Sequence, residues 1–186
     1  MAALRVLGID PGLTRCGVGV VDVARDRSAK LVHVGVIRSD PGVPIERRLA
    51  TIAAGIRAVI AEYEPAVVAV ERVFSQHNRQ SVMGTAQASG IALLVAAEHG
   101  LAAATHTPTE VKAAVTGYGA ADKRQVQTMV ARILRLDALP QPADAADALA
   151  LALCHAWRGG TAQAAAGAPL TPAQRAWADA ERLSRR

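Results

Sequence analysis

Four acidic residues fall where predicted strands end or a predicted helix begins: Asp10, Glu71, Asp144 and Asp147. The first two close apolar segments, and the last two are three residues apart, so they share one side of a helical turn. Four carboxylates at one end of a sheet repel one another unless cations neutralise them. Oxygen ligands alone suit magnesium or manganese, so we predict a divalent cation site.

Each acid also has an ordinary structural explanation, which the sequence leaves open. Aspartate is common before a Pro-Gly turn, so Asp10 could simply be a turn residue. The positive end of a helix dipole favours acids, so Asp144 and Asp147 could be ordinary helix starters. Three histidines show no ligand spacing and predict no zinc site: His99, His106 and His155.

The strands that must position these acids predict a five-stranded mixed sheet of an α/β protein. Leu4–Asp10 is almost continuously apolar, which is typical of a central strand covered on both faces. Gly17–Val23 and Lys30–Ile37 follow after short turns and are expected to be antiparallel. Ala66–Val70 follows a helix, which favours a parallel place beside the first strand. Leu101–Thr105 is a short fifth strand.

Apolar spacing and caps predict five helices: Pro44–Tyr63, Ser81–His99, a short helix capped by Thr107 and Glu110, Ala121–Leu134, and Ala143–Arg158. The small residues of Gly84–Gly90 let another backbone approach closely, either the protein's own sheet or a second copy. We predict one domain over residues 1–158. Residues 159–186 are predicted to be a flexible Ala/Gly-rich tail.

A polar, basic loop follows Glu71 and holds the single phenylalanine of the chain, Phe74. A phenylalanine in a loop can plug the core, but polar neighbours favour a wet surface on which the ring could stack on a base. The polar and basic residues around Phe74 that could contact nucleic acid are Arg72, His77, Asn78 and Arg79. The predicted helices also carry basic side chains that could be plain solvated residues or contacts to an anionic partner: Lys112, Lys123 and Arg124.

Composition favours an anionic partner, with nucleic acid the leading candidate. The formal net charge is +5 and the sequence pI is about 9.9. Only three of the 21 basic residues are lysine, so arginine-biased codon usage is an alternative cause.

Cys16 and Cys154 have no metal-ligand spacing and are expected to be small core residues. We find no secretory signal, and the most apolar run is too short to span a bilayer. A cytoplasmic protein without a membrane segment is therefore expected.

Four motifs in order give the chain a close resemblance to the RuvC family of Holliday-junction resolvases, which have an RNase H-like fold. They are GIDPG at Gly8–Gly12, AVERVF at Ala69–Phe74, GYGAADKRQVQ at Gly117–Gln127 and QPADAADALA at Gln141–Ala150. The resemblance covers about residues 4–158 and does not reach the tail.

The resemblance implies an endonuclease that resolves four-way DNA junctions by paired symmetric nicks, in recombination and repair. The family's catalytic and metal-binding tetrad falls on the four acids above, and all four positions here are acids. Two magnesium ions, replaceable by manganese, would support hydrolysis to 5′-phosphate and 3′-hydroxyl ends. Phe74 matches the family's base-stacking phenylalanine, and Lys112 and Lys123 match its phosphate contacts. A homodimer and a branch-migration complex of the RuvA and RuvB type are the implied partners.

Two other classes of function compete with this interpretation. Asp10, Gly12 and Thr14 fit the phosphate-binding D-x-G-x-T pattern of actin-type and sugar-kinase phosphotransferases, but those need a second domain. A non-catalytic junction-binding protein would have no reason to hold four carboxylates near phosphate. A related nuclease acting on RNA or on simpler DNA branches is a further alternative.

Overall fold

A computed structural model of the chain describes residues 3–72 and 79–165, without the side chains of 79–81, 143 and 159–165. Its strands are β1 (Leu4–Asp10), β2 (Arg15–Val23), β3 (Ala29–Arg38), β4 (Val67–Glu71) and β5 (Ala102–His106). Its helices are α1 (Ile45–Tyr63), α2 (Arg79–Glu98), α3 (Pro108–Thr116), α4 (Lys123–Leu134) and α5 (Ala143–Ala165).

The strands form one mixed sheet in the order β3-β2-β1-β4-β5. The central strand β1 is antiparallel to β2 and parallel to β4. The outer strand β3 is antiparallel to β2, and β5 is parallel to β4. The predicted sheet of three antiparallel strands followed by two parallel ones is confirmed. Because β1 and β4 are parallel, Asp10 and Glu71 end at the same edge of the sheet.

Helices cover both faces of the sheet. Side chains alternate between the faces of a strand, and β1 shows this directly. Val6 packs with α3, α4 and α5, whereas Leu7 and Ile9 pack with α1 and α2. All three side chains have no exposed surface. The acid-bearing edge is therefore built on a strand that is fixed by packing on both faces.

The helix α5 lies close to the sheet because glycines leave room for it. A Cβ at Gly8 would collide with the backbone of Ala148 and Ala152, and a Cβ at Gly17 would collide with the carbonyl of Asp144. These close approaches bring the first turn of α5 against the ends of β1 and β2.

Caps define the starts of the two short helices. Thr107 accepts a hydrogen bond from the Glu110 amide at 3.2 Å, and Glu110 accepts one from the Thr107 amide at 2.8 Å. This capping box confirms the predicted start of α3. The predicted start of α4 at Ala121 was wrong, because Asp122 forms the N-cap and its side chain accepts from the Gln125 amide.

The end of α5 also differs from the prediction. The helix does not stop at Arg158 but continues through Gly159-Gly160 to Ala165. Each glycine disfavours a helix by roughly 1 kcal/mol relative to alanine. The high helix propensity of the alanines that follow offsets that cost. A flexible tail stays a prediction for residues beyond this helix.

Both cysteines are buried and free, and burial raises the pKa of the Cys16 thiol to about 12. They are core residues, as predicted. In the described parts of the chain, no helix combines the length and apolar character that a membrane crossing requires.

Candidate active site

Three of the four predicted acids meet at the edge of the sheet. Asp10 is half-buried at the end of β1, where it pairs with Gly17 of β2. Asp144 and Asp147 lie on the first turns of α5, and one carboxylate oxygen from each of the three aspartates falls within 4.8 Å of the others. Because α5 rests on Gly17, its first acid lies directly over the strand end that carries Asp10.

Glu71 lies beside these three aspartates, but it is not one of the residues whose carboxylate oxygens lie within 4.8 Å of one another. It ends β4 and shares a side-chain hydrogen bond with Asp10. It also lines a cavity of about 220 Å³ together with Lys112, Lys123 and Asp147. The cavity connects the acids to the two lysines that were predicted as phosphate contacts.

Two basic side chains form ion pairs with the two acids of α5. The Lys123 Nζ lies 2.7 Å from Asp147 Oδ2, and the Arg15 Nε lies 2.7 Å from Asp144 Oδ2. Arg15 is not among the residues predicted from the sequence. The predicted topology could have identified Arg15. The residue begins the strand that follows the Pro-Gly turn, and because this strand runs antiparallel to β1, its start lies beside the end of β1.

Charge and burial disfavour a fully ionised site. Burial, followed by the charges of Glu71, Asp147 and Asp144, raises the pKa of Asp10 to about 8. Burial and the charge of Asp147 also raise the pKa of Glu71. Lys123 and Arg15 therefore leave the deepest carboxylates without sufficient positive charge.

The donor set fits a hard divalent cation. It offers carboxylate oxygens only, in one group of three with a fourth acid adjoining, as magnesium and manganese prefer. A cation at this position would remove the repulsion that raises the pKa of Asp10. Among the described residues, these three aspartates are the only group of three or more side chains that could hold a metal ion together. The group contains no histidine.

The other predicted contact residues are spread around this edge. Phe74, His77 and Asn78 lie outside the described residues, and only the backbone of Arg79 is described, in α2. Arg72 is exposed, and its Nη2 donates to Thr105 Oγ1 at 3.3 Å. Arg124 is exposed on α4, next to Lys123.

The structure also joins two histidines that the sequence did not connect. His106 Nε2 and His155 Nδ1 are 3.0 Å apart, between the end of β5 and the middle of α5. Burial lowers the pKa of both imidazoles, which favours a neutral, hydrogen-bonded pair. The two residues are 49 positions apart in sequence, so no local spacing could reveal them.

Comparison with known proteins identifies the family. Residues 6–155 match the model of the family described as crossover junction endodeoxyribonuclease RuvC. The chain belongs to the RuvC family. A RuvC of that description from Leifsonia xyli subsp. xyli is 60% identical over 196 residues, with 98% of this chain and 94% of the relative covered. One from Paenarthrobacter aurescens is 58% identical over 185 residues, with 98% of each chain covered.

Solved structures agree with the RuvC assignment. T. thermophilus RuvC in complex with Holliday junction substrate has a TM-score of 0.81 and 37% identity, covering 86% of this chain and 96% of that chain. The yeast mitochondrial resolvase Ydc2 has a TM-score of 0.59 at 12% identity, covering 85% and 82%, which supports the shared fold alone. The RNase H-like fold predicted from the motifs is confirmed for this RuvC-family chain.

Proposed function

We propose that this RuvC-family protein is a magnesium-dependent endonuclease that resolves four-way DNA junctions by paired symmetric nicks. One observation carries the proposal: Asp10, Asp144 and Asp147 converge within 4.8 Å, with Glu71 adjoining, in a chain of this family. The T. thermophilus relative bound to Holliday junction substrate supports the choice of DNA structure. Recombination and DNA repair are the processes that such an activity serves.

The four acids would hold two magnesium ions, for which manganese could substitute. Bound there, the ions would supply Lewis-acid activation of water and charge stabilisation for phosphodiester hydrolysis. Asp10 is central because its carboxylate adjoins all three of the other acids. The products would be a 5′-phosphate and a 3′-hydroxyl.

The remaining residues of the site would bind and orient the DNA backbone. Lys112 and Lys123 line the cavity beside Glu71 and present ammonium groups to an incoming phosphate. Arg15 holds Asp144 through its 2.7 Å ion pair and so fixes the direction of that carboxylate. Phe74 would stack on a base at the junction centre. Arg72, His77, Asn78, Arg79 and Arg124 are the further proposed DNA contacts.

A homodimer would place two such sites on a two-fold symmetric junction. The helix α2 supports this arrangement because its two faces differ. Gly84 and Ala88 are buried, and a Cβ added at Gly84 would lie 3.2 Å from the Leu13 side chain. By contrast, Met83 and Leu94 are 62% and 52% exposed. The exposed apolar face is suited to the same face of a second copy. A RuvA- and RuvB-type motor complex and a cytoplasmic location complete the proposal.

The alternative classes have less support. The phosphotransferase interpretation required a second domain, and the family match extends over residues 6–155 as one RuvC unit. A non-catalytic junction binder remains the alternative that experiment must exclude. The convergence of the acids favours the enzyme, since carboxylates without cations repel phosphate.

Cleavage of a synthetic four-way junction with magnesium tests the proposal. Wild-type protein should give paired symmetric nicks with ends that ligase seals. Asp10→Asn should bind the junction and reduce cutting by at least ~10³-fold, because one carboxylate shared by the site is lost. The matched control is Asp26→Asn, an exposed aspartate on the turn between β2 and β3, at the end of the sheet away from Asp10. Binding without cutting by the wild type, in both magnesium and manganese, would leave a junction-binding protein instead.

A further inference from the structure

The outer face of α4 carries a row of polar and basic side chains that starts at the candidate active site. Lys123 pairs with Asp147, and beyond it Arg124, Thr128 and Arg132 follow at intervals of four residues. Residues four apart lie on the same helix face. Arg135 caps the helix end, and all three arginines are exposed.

Two adjacent concavities make this face a trough rather than a flat surface. The first has a volume of about 410 Å³ and the second about 440 Å³. Thr128 and Arg132 line both, so the concavities are continuous. Tyr118, 64% exposed, lies at the end of the trough beside the start of α4, and Arg135 lies at the other end.

The trough is positively charged. In the described parts of the chain, none of its three arginines takes part in an ion pair. Its two acids are Asp122 and Asp137, and the first is engaged as the N-cap of α4. Unpaired guanidinium groups in a groove are typical of a surface that binds a polyanion.

The dimensions match a DNA strand. Arg124 and Arg132 are separated by eight residues of helix, which is about 12 Å. Successive phosphates of one B-DNA strand advance by ~3.4 Å along the duplex axis, so the row is long enough to reach more than one phosphate. A backbone that is cut at the acids and passes Lys123 would continue directly along this row.

We propose that the α4 trough (Tyr118, Arg124, Thr128, Arg132 and Arg135) binds the phosphodiester backbone of the junction arm next to the cut strand. The inference rests on the proposed function and deepens it, because it assigns the binding of one junction arm to residues other than Lys112 and Lys123. The guanidinium groups bind phosphates, whereas Thr128 only lines the trough between them, because its hydroxyl donates to the Arg124 carbonyl at 2.8 Å. These phosphate contacts strengthen binding and fix the direction of the arm, but they do not select a base sequence.

Junction binding by the double variant Arg132→Gln/Arg135→Gln tests this proposal. Binding to a fluorescent four-way junction is measured with EDTA present, at several salt concentrations. We expect affinity to fall about 10-fold at 0.1 M salt, and the slope of log K against log salt to become shallower by about two. Thermal unfolding should be unchanged, since both side chains are exposed.

The matched control is Arg47→Gln/Arg57→Gln, which also removes two positive charges, both from exposed positions of α1 on the opposite face of the sheet, where Arg57 pairs with Glu98 at 2.8 Å. This control should retain wild-type affinity and slope. If the trough variant instead matches it, the proposal is overturned, and an acidic protein becomes the partner to test on this face.

Neutral methylphosphonates at single arm positions identify the phosphates involved. In wild type, substitutions within about four nucleotides of the cut should weaken binding, and the double variant should show no further loss there. Equal losses in both proteins would exclude the trough as the contact.

Cleavage by wild type is scored in parallel. If wild type cuts junctions and the trough variant binds normally, the trough alone is refuted. If wild type cannot cut, the proposed function is refuted.

Discussion

At the scale of single residues, the site is governed by Asp10. Its carboxylate is enclosed by the sheet and faces three other acids, so burial and like charge raise its pKa to about 8. The ion pairs of Arg15 and Lys123 are made with the outer acids, Asp144 and Asp147. A metal-free site is therefore electrostatically strained, which is the expected property of a centre built to receive divalent cations.

This strain predicts a pH-dependent stability of the metal-free protein. A carboxyl whose pKa is higher when folded contributes stability that is complete below about pH 4 and is lost as pH rises through about 8. With EDTA, the wild-type melting temperature should fall by about 3–6 °C between pH 6.5 and 8.5, an effect of order 1–2 kcal/mol. Asp10→Asn should flatten this decline.

Magnesium should restore the stability of the wild type at pH 8.5 far more than that of Asp10→Asn. Asp137→Asn, which removes the same charge from an exposed loop, should behave like wild type. The chosen pH window avoids the buried histidine pair, whose lowered pKa values make it lose stability only as pH falls below about 6.5. An Asp10→Asn protein that declines as steeply as wild type would contradict the role of this carboxyl.

At the scale of elements, the decisive contact is that of α5 with β1 and β2. The helix supplies two of the acids, and its distance from the sheet is set by backbone contacts over Gly8 and Gly17. Substituting alanine for Gly8 should cost about 2–3 kcal/mol, because the added Cβ meets peptide backbone that no side-chain rotation can move. Urea denaturation provides the measurement.

Gly90→Ala is the control for this prediction. Gly90 lies in α2 with nothing within 4 Å of its added Cβ, so the change should be neutral or stabilise the protein by about 0.5–1 kcal/mol. Both variants are compared at one protein concentration, since Gly90 lies on the exposed face of α2. Equal effects of the two substitutions would show that α5 can move away from the sheet without cost.

At the scale of the whole molecule, the exposed apolar face of α2 is the feature that a monomer leaves unexplained. Leu94→Lys would place a charge in the proposed two-fold interface and should raise the dimer dissociation constant at least ~10-fold. Sedimentation velocity measures this constant directly. Leu139→Lys is the control, because Leu139 is an exposed leucine on the loop after α4. A wild-type protein that stays monomeric at micromolar concentration would remove the basis for the dimer.

The sequence alone determined the order and type of the elements, and the ends of β1 and β4 on which Asp10 and Glu71 lie. These features are local, because strand propensity, turn residues and caps act over a few positions. The capping box of Thr107 and Glu110 was predictable for the same reason. The motifs in their order likewise sufficed to name the family.

Tertiary structure alone decided which groups pair across the fold. The contact of Arg15 with Asp144, and that of His106 with His155, join residues far apart in sequence. Such pairs follow from the crossing of α5 over the sheet, which depends on how closely packed surfaces fit rather than on local preference. The trough along α4 arises in the same way. Its arginines are visible in the sequence, but only the folded chain shows that the residue before the first of them, Lys123, pairs with Asp147.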